Sequence, residues 1–239
     1  MPDREHWEME QSGYEKGYNP FFGEFKQTFN FAPVPYGHRK RNDFVTSLHR
    51  EFANIKYIFW GEVKVYIQLY HNEQRRLETP ELADLDNYAK IICDGIKGAN
   101  GVLIDDSQIQ TLSISWIDAP NLERFDIEIK GHPDEFILKP LSLFEMPDGL
   151  FYPVSSQQWS ADGPQEDISD EQKNSFLSAL YCIIYNKRGI QHEVRLQGMD
   201  TLNAYWRGRS LGPILYGFHK SRIIESRFDL KSISDWKKI

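Results

Sequence analysis

Cysteine is scarce in this chain. Only Cys93 and Cys182 occur in 239 residues. Both fall in apolar helical patterns, which predicts two buried thiols in a reducing compartment and no disulfide framework. Long apolar runs are also missing. None approaches the roughly 20 residues a membrane-spanning helix needs. The opening MPDREHWEMEQSGYEKG lacks the basic start and apolar stretch of a secretory leader. A cytoplasmic setting without a membrane partner is the expectation. The 7 histidines show no zinc-like spacing with cysteine. No phosphate-loop or dinucleotide fingerprint appears, and no serine nucleophile elbow. An organic cofactor is therefore not expected.

Positive charge is in short supply as well. Lys and Arg number 28 against 35 Asp and Glu, a net charge of −7. The total hides an uneven distribution. Residues 187 to 239 carry 11 basic against 5 acidic side chains, whereas residues 133 to 186 carry 2 against 9. A polyanionic partner is not excluded by the sum, because binding responds to the charge of one face.

What is present is a folding composition, 40% apolar and 14% aromatic, enough for a sizeable core. Residues 1 to 24 mix Gly, Tyr, Phe and acids without periodicity and read as an arm. KQTFNF predicts a short strand ended by Pro33 and Pro35. Phe44, Val45, Leu48, Phe52 and Ile55 recur at helical spacing, with Asn42 or Asp43 as the cap. Val63, Val65, Ile67 and Leu69 alternate with polar residues, as in a strand with one buried face. Tyr88, Ile91, Ile92 and Ile96 then form one side of a helix, with Lys90, Asp94 and Lys97 on the other. TLSISW and FDIEIK alternate again and predict an antiparallel pair. The order β-α-β-α-β-β gives an α/β fold, a small mixed sheet with packed helices, over residues 25–143. Residues 144–167, rich in Pro, Gly and Ser, read as linker. Residues 168–239 read as a mostly helical C-terminal extension. It starts with a Ser169–Gln172 capping box, an apolar stripe of Phe176, Leu177, Leu180, Tyr181 and Ile184, and a stop at Gly189.

The chemistry concentrates in DLDNYAK, Asp84 to Lys90, and IDDSQ, Ile104 to Gln108. Like charges at close range repel, so either these carboxylates are solvated or a cation sits among them. With a helix beginning at Asn87, Asp86 is its cap and Asp84 lies in an extended approach, both carboxylates facing one spot. Lys90 shares Asp86's helical face. A loop returning to the sheet would bring Asp105 or Asp106 to the same place. Three hard oxygen donors suit Mg²⁺ or Mn²⁺, which activates phosphodiesters and water. Lys90 would then stabilise developing negative charge. The same residues also serve without a metal, as a helix cap, a surface ion pair and a solvated turn.

ADLDNYAKIICDGIKGANGVLIDDSQIQ resembles the signature of the RusA family of Holliday junction resolvases. The matching residues are Asp84, Leu85, Asp86, Asn87, Lys90, Ile104, Asp105, Asp106 and Gln108. The resemblance spans about residues 25 to 131, with flanking elements in the same order. It implies an Mg²⁺-dependent endonuclease, a homodimer, that cuts branched DNA at four-way junctions and leaves 5′-phosphate and 3′-hydroxyl ends. It also implies Asp84, Asp86 and Asp106 as metal-binding catalytic carboxylates and Lys90 as the catalytic lysine, with Asp105 less firmly placed as a ligand. The family's basic run before the motif is absent here. Arg75 and Arg76 lie farther upstream, so Arg207, Arg209, Lys220, Arg222 and Arg227, interleaved with Tyr205, Trp206 and Tyr216, become candidates for phosphate contact and base stacking. Two rival readings are a nuclease for other branched DNA and a non-catalytic binding module on the same fold.

Overall fold

The structure is a computed structural model. It describes residues 18–19, 23–80, 84–119, 122–132, 135–160, 163–167, 169–197 and 216–232. Most of the N-terminal arm, and Tyr205, Trp206, Arg207 and Arg209, lie outside these. The chain divides into two compact units. One is formed by residues 1–136 with 225–227, the other by residues 137–224 with 228–239.

The first unit contains strands β1 (Tyr18–Asn19), β2 (Glu24–Phe29), β3 (Tyr57–Phe59), β4 (Val63–His71), β5 (Ile109–Asp118) and β6 (Arg124–Lys130). Its helices are α1 (Arg41–Glu51), α2 (Glu73–Glu78) and α3 (Leu85–Ile96). The alternation expected of β4 is present, with Val63, Val65, Ile67 and Leu69 buried. So is that of β6, through Phe125, Ile127 and Ile129. The α3 helix buries Tyr88, Ile91, Ile92 and Ile96 as its periodicity requires. It lies against α1 so closely that a Cβ on Gly95 would sit 2.4 Å from Leu48 Cδ1. Phe29 stacks on Phe125 at 4.8 Å and meets Phe52 edge-on at 5.6 Å, closing the core between sheet and helix.

The sheet order is β1-β2-β6-β4-β5. The expected antiparallel pairing of β5 with β6 does not occur. β5 pairs parallel with β4, and β6 pairs antiparallel with β4 and β2. The reason is the α3 crossover. A helix joining two strands returns the chain parallel to the first, so β5 takes one edge of β4 and β6 must take the other. β5 is thereby an edge strand, and Leu112, expected on the buried face, is 43% exposed. Two caps also differ. α1 begins after Lys40 instead of at Asn42 or Asp43, and α3 begins after Asp84.

At the end of β4, His71 is buried against Trp116 and Tyr88, with ring centroids 5.2 and 5.8 Å away. Its Nε2 has no hydrogen-bond partner among the described residues. Burial lowers its pKa; the Glu123 charge opposes this, and Arg75 adds to it. The folded state therefore binds a proton less readily than the unfolded chain, whose histidine titrates near about 6.5. Between that value and the lower folded one, the unfolded state holds more protons, so stability falls as pH drops. Urea midpoints at pH 7.5 and 5.5 should fall more for the wild type than for His71→Phe. Equal pH sensitivity would rule this out.

In the second unit, the linker reading of 144–167 gives way to regular structure. After β7 (Phe136–Leu138) come β8 (Leu141–Glu145), β9 (Phe151–Ser155), β10 (Gln157–Ser160) and β11 (Gly163–Asp167). β8 pairs with β9, and β10 with β11, both antiparallel. Of the Pro and Gly residues that suggested a linker, Pro147 and Gly149 (φ 77°) form the β8–β9 turn, while Pro153 lies in β9 and Gly163 and Pro164 lie in β11. Then follow α4 (Asp170–Gln197), α5 (Lys220–Ile223) and β12 (Asp229–Lys231), which pairs parallel with β8. Among the described residues of 168–239 the extension is mostly helical, as expected, with β12 as its strand. The Ser169–Gln172 capping box is present, at 2.9 and 3.2 Å. Gly189 does not stop α4, which continues to Gln197; an interior Gly costs a helix only about 1 kcal/mol. Leu177, Leu180 and Ile184 are buried, but Phe176 and Tyr181 are exposed. Cys182 is exposed as well, against the expectation for both thiols, while Cys93 is buried.

Candidate active site

The α3 helix carries most of the candidate residues. Asp84 is its N-cap residue, yet its side chain makes no capping hydrogen bond. Asp86 is not the cap but lies in the first turn. Both are exposed. Two carboxylates thus stand at the helix N-terminus, where the helix dipole favours negative charge. Neither forms an ion pair among the described residues. In particular, the Asp86–Lys90 surface pair of the metal-free alternative is not formed. Lys90 Nζ lies instead 3.8 Å from the centre of the Tyr36 ring, and the Arg41 guanidinium carbon lies 4.1 Å from the same ring. The Tyr36 backbone N–H donates to Asn87 O at 3.1 Å, fixing that ring against the first turn of α3.

Asp106 sits elsewhere. Its carboxylate accepts from Lys97 Nζ at 2.9 Å, and Lys97 also pairs with Asp94 at 3.2 Å. Arg41 reaches the other Asp94 oxygen at 3.4 Å. Burial alone would lower the Lys97 pKa, but hydrogen bonds and charge from Asp106 and Asp94 outweigh it and raise it. Beside this cluster, burial pushes the Cys93 thiol up to about 12, with the Asp106 and Asp94 charges adding to the rise. Sequence reasoning placed Asp94 and Lys97 on a polar face without a role. The pairing of Lys97 with Asp106 is non-local and leaves no periodic signal.

Asp105 is buried and turned to a structural task. Its Oδ1 accepts from Ser107 N at 3.1 Å, capping a single 3₁₀ turn at Asp106–Gln108. Gln108 locks that turn. Its Oε1 accepts from the N–H groups of Ile104 and Asp105 at 2.8 and 3.0 Å. Its Nε2 donates to Phe59 O and Gly61 O at 3.0 and 2.8 Å. The Gln of the D-D-x-Q pattern is therefore a four-point clamp on the backbone that carries Asp106.

The candidates are split between the two ends of α3. Asp84 and Asp86 occupy the N-terminal end. Asp106 lies at the level of Asp94 and Lys97, beyond Asp86 by about 12 Å of helical rise. The parallel β4-α3-β5 crossover imposes this, because the chain leaves the strands at the His71 end and re-enters at the opposite end, at Ile109. Among the described residues, no three His, Cys, Asp or Glu side chains gather around one metal-sized point. The donor chemistry nonetheless fits a hard cation. Mg²⁺ takes one or two protein carboxylates and completes its shell with water and substrate phosphate, and Asp84 and Asp86 offer that number, exposed and near each other in the chain.

Residues 44–130 match the family model described as Endodeoxyribonuclease RusA. The match spans α1, β4, α3, β5 and β6, including every candidate residue above except Tyr36 and Arg41. Comparison with curated proteins returns no match.

Proposed function

We propose that the chain is an Mg²⁺-dependent nuclease that resolves four-way DNA junctions by paired phosphodiester hydrolysis, a reading supported by the match of residues 44–130 to the RusA endodeoxyribonuclease model. The observation that carries this reading is the conjunction, within the matched segment, of two exposed carboxylates, Asp84 and Asp86, with a lysine on the same helix. Asp84 and Asp86 would hold the ion. When bound, Mg²⁺ supplies polarisation of the scissile phosphate and a more acidic water. Lys90, held against Tyr36, offers an ammonium to the extra negative charge of the transition state. Asp106 is kept in register by Lys97 and the Gln108 clamp.

The separation of the acids along α3 supports a homodimer. A two-fold axis perpendicular to α3 and passing beside its midpoint sets a second copy of the helix antiparallel to the first. It would bring the Asp106 carboxylate of a second copy to the Asp84–Asp86 pair, and do so twice, giving two composite sites for two nicks. Edge strand β5 offers a surface for such a copy. It has no charged residue from Ile109 to Ile117, and it exposes Leu112 and Ile117.

The test is cleavage of an end-labelled four-way junction beside a linear duplex of the same sequence, with Mg²⁺. Symmetric nicks confined to the junction, with 5′-phosphate ends, are expected. Equal cleavage of both substrates, or of neither, would refute the junction reading.

A further inference from the structure

The acidic end of α3 repels a polyanion, so a nuclease built on it requires compensating positive charge nearby. Arg75 and Arg76, the upstream candidates, are engaged with carboxylates. Arg75 pairs with Glu123 at 2.7 Å and Arg76 with Glu73 at 3.3 Å. The segment His38-Arg39-Lys40-Arg41 is different. Arg39 and Lys40 are exposed, and neither side chain forms an ion pair among the described residues. The segment is held on both sides. His38 N donates to Pro35 O at 2.9 Å, Arg41 N to His38 O at 3.0 Å, and Lys40 N to His38 Nδ1 at 3.2 Å. Tyr36 ties it to Asn87, and Arg41 ties it to Asp94, both on α3. It lies beside the helix turn bearing Asp86 and Lys90.

We propose that residues 38–41 are a phosphate-backbone contact for the DNA substrate, with Arg39 and Lys40 touching phosphates and Tyr36 and Arg41 bracketing the segment to α3. The proposal rests on the nuclease reading and extends it. A short loop fixed by backbone hydrogen bonds loses little freedom on binding. Among the described residues, its two cations have no carboxylate to exchange for a phosphate. Its attachment to α3 sets the bound backbone at a fixed distance from Lys90. The contact reads charge and not sequence, because phosphates are the same in every base step.

The experiment is fluorescence anisotropy of a labelled four-way junction over a salt series, with Ca²⁺ replacing Mg²⁺ so that no strand is cut. Each phosphate contact contributes about 0.9 to the slope of log K against log salt. Arg39→Gln with Lys40→Gln should reduce that slope by about 1.8 and weaken binding at least about tenfold. The control, Lys64→Gln with Lys130→Gln on the polar face of the sheet, should bind as the wild type does. Thermal unfolding of both double variants should match the wild type, since the altered side chains are exposed. An unchanged slope in Arg39→Gln/Lys40→Gln, with wild-type protein binding the junction, would overturn this proposal alone. Failure of the wild type to bind any junction would overturn the nuclease reading with it.

Discussion

Asp86→Asn should lower junction cleavage by at least about 100-fold while leaving the fold intact. The size follows from metal chemistry. Loss of a group that merely orients a ligand costs about 10–100-fold, and loss of a ligand costs more. Stability should hardly change, because Asp86 is exposed and forms no ion pair among the described residues. An amide keeps the shape and the helix while removing the charge that attracts a divalent cation. Mn²⁺ titration by calorimetry should show weakened binding in the same variant. Cleavage within about threefold of wild type would remove Asp86 from the site.

The second large effect concerns Gln108. Gln108→Leu keeps the volume roughly constant but deletes four hydrogen bonds to backbone groups. Two N–H groups and two carbonyls would be left in a buried region, each at a cost of about 1–3 kcal/mol where water cannot replace the partner. Partial relaxation should leave a net loss of about 4 kcal/mol, which for a chain of this size lowers the melting temperature by about 10 °C. Circular dichroism melts measure this directly. Asp106 sits on the clamped turn, so the folded fraction of the variant should also cleave poorly below its melting point. A melting temperature unchanged within about 2 °C would show that the clamp contributes little.

The elements that could be read from sequence were those with one buried face and a local period. β4, β6 and α3 each carry their instruction in a few consecutive residues. Asp84, Asp86, Lys90 and Asp106 stand out in the sequence as candidates because D-L-D-N and D-D-x-Q are compact. Strand order was not identifiable. TLSISW and FDIEIK look like a hairpin because they are adjacent, and only the crossover geometry separates them. The stretch 144–167 looked loose because turn residues mark hairpins and linkers alike. The contacts among the candidate residues were hidden for a different reason. Lys97 with Asp106, Tyr36 with Lys90 and Arg41 with Asp94 join residues far apart in periodicity, and no spacing rule announces them. The reading of Asp86 as a cap failed by one half-turn. The helix starts at Leu85, which frees both carboxylates from the backbone and strengthens their case as donors.

The division of the acids between the two ends of α3 makes one experiment decisive. Asp86→Asn and Asp106→Asn proteins would be mixed in equal amounts under conditions that exchange subunits, then assayed on a four-way junction with Mg²⁺. If each site draws Asp86 from one copy and Asp106 from the other, a mixed dimer holds both lesions in one site and leaves the second intact. Nicking should then return to about a quarter of the wild-type rate, as single nicks without the paired partner cut. If each copy carries a complete site of its own, every site in the mixture keeps a lesion. The mixture would then be as inactive as either variant alone, contradicting the composite site.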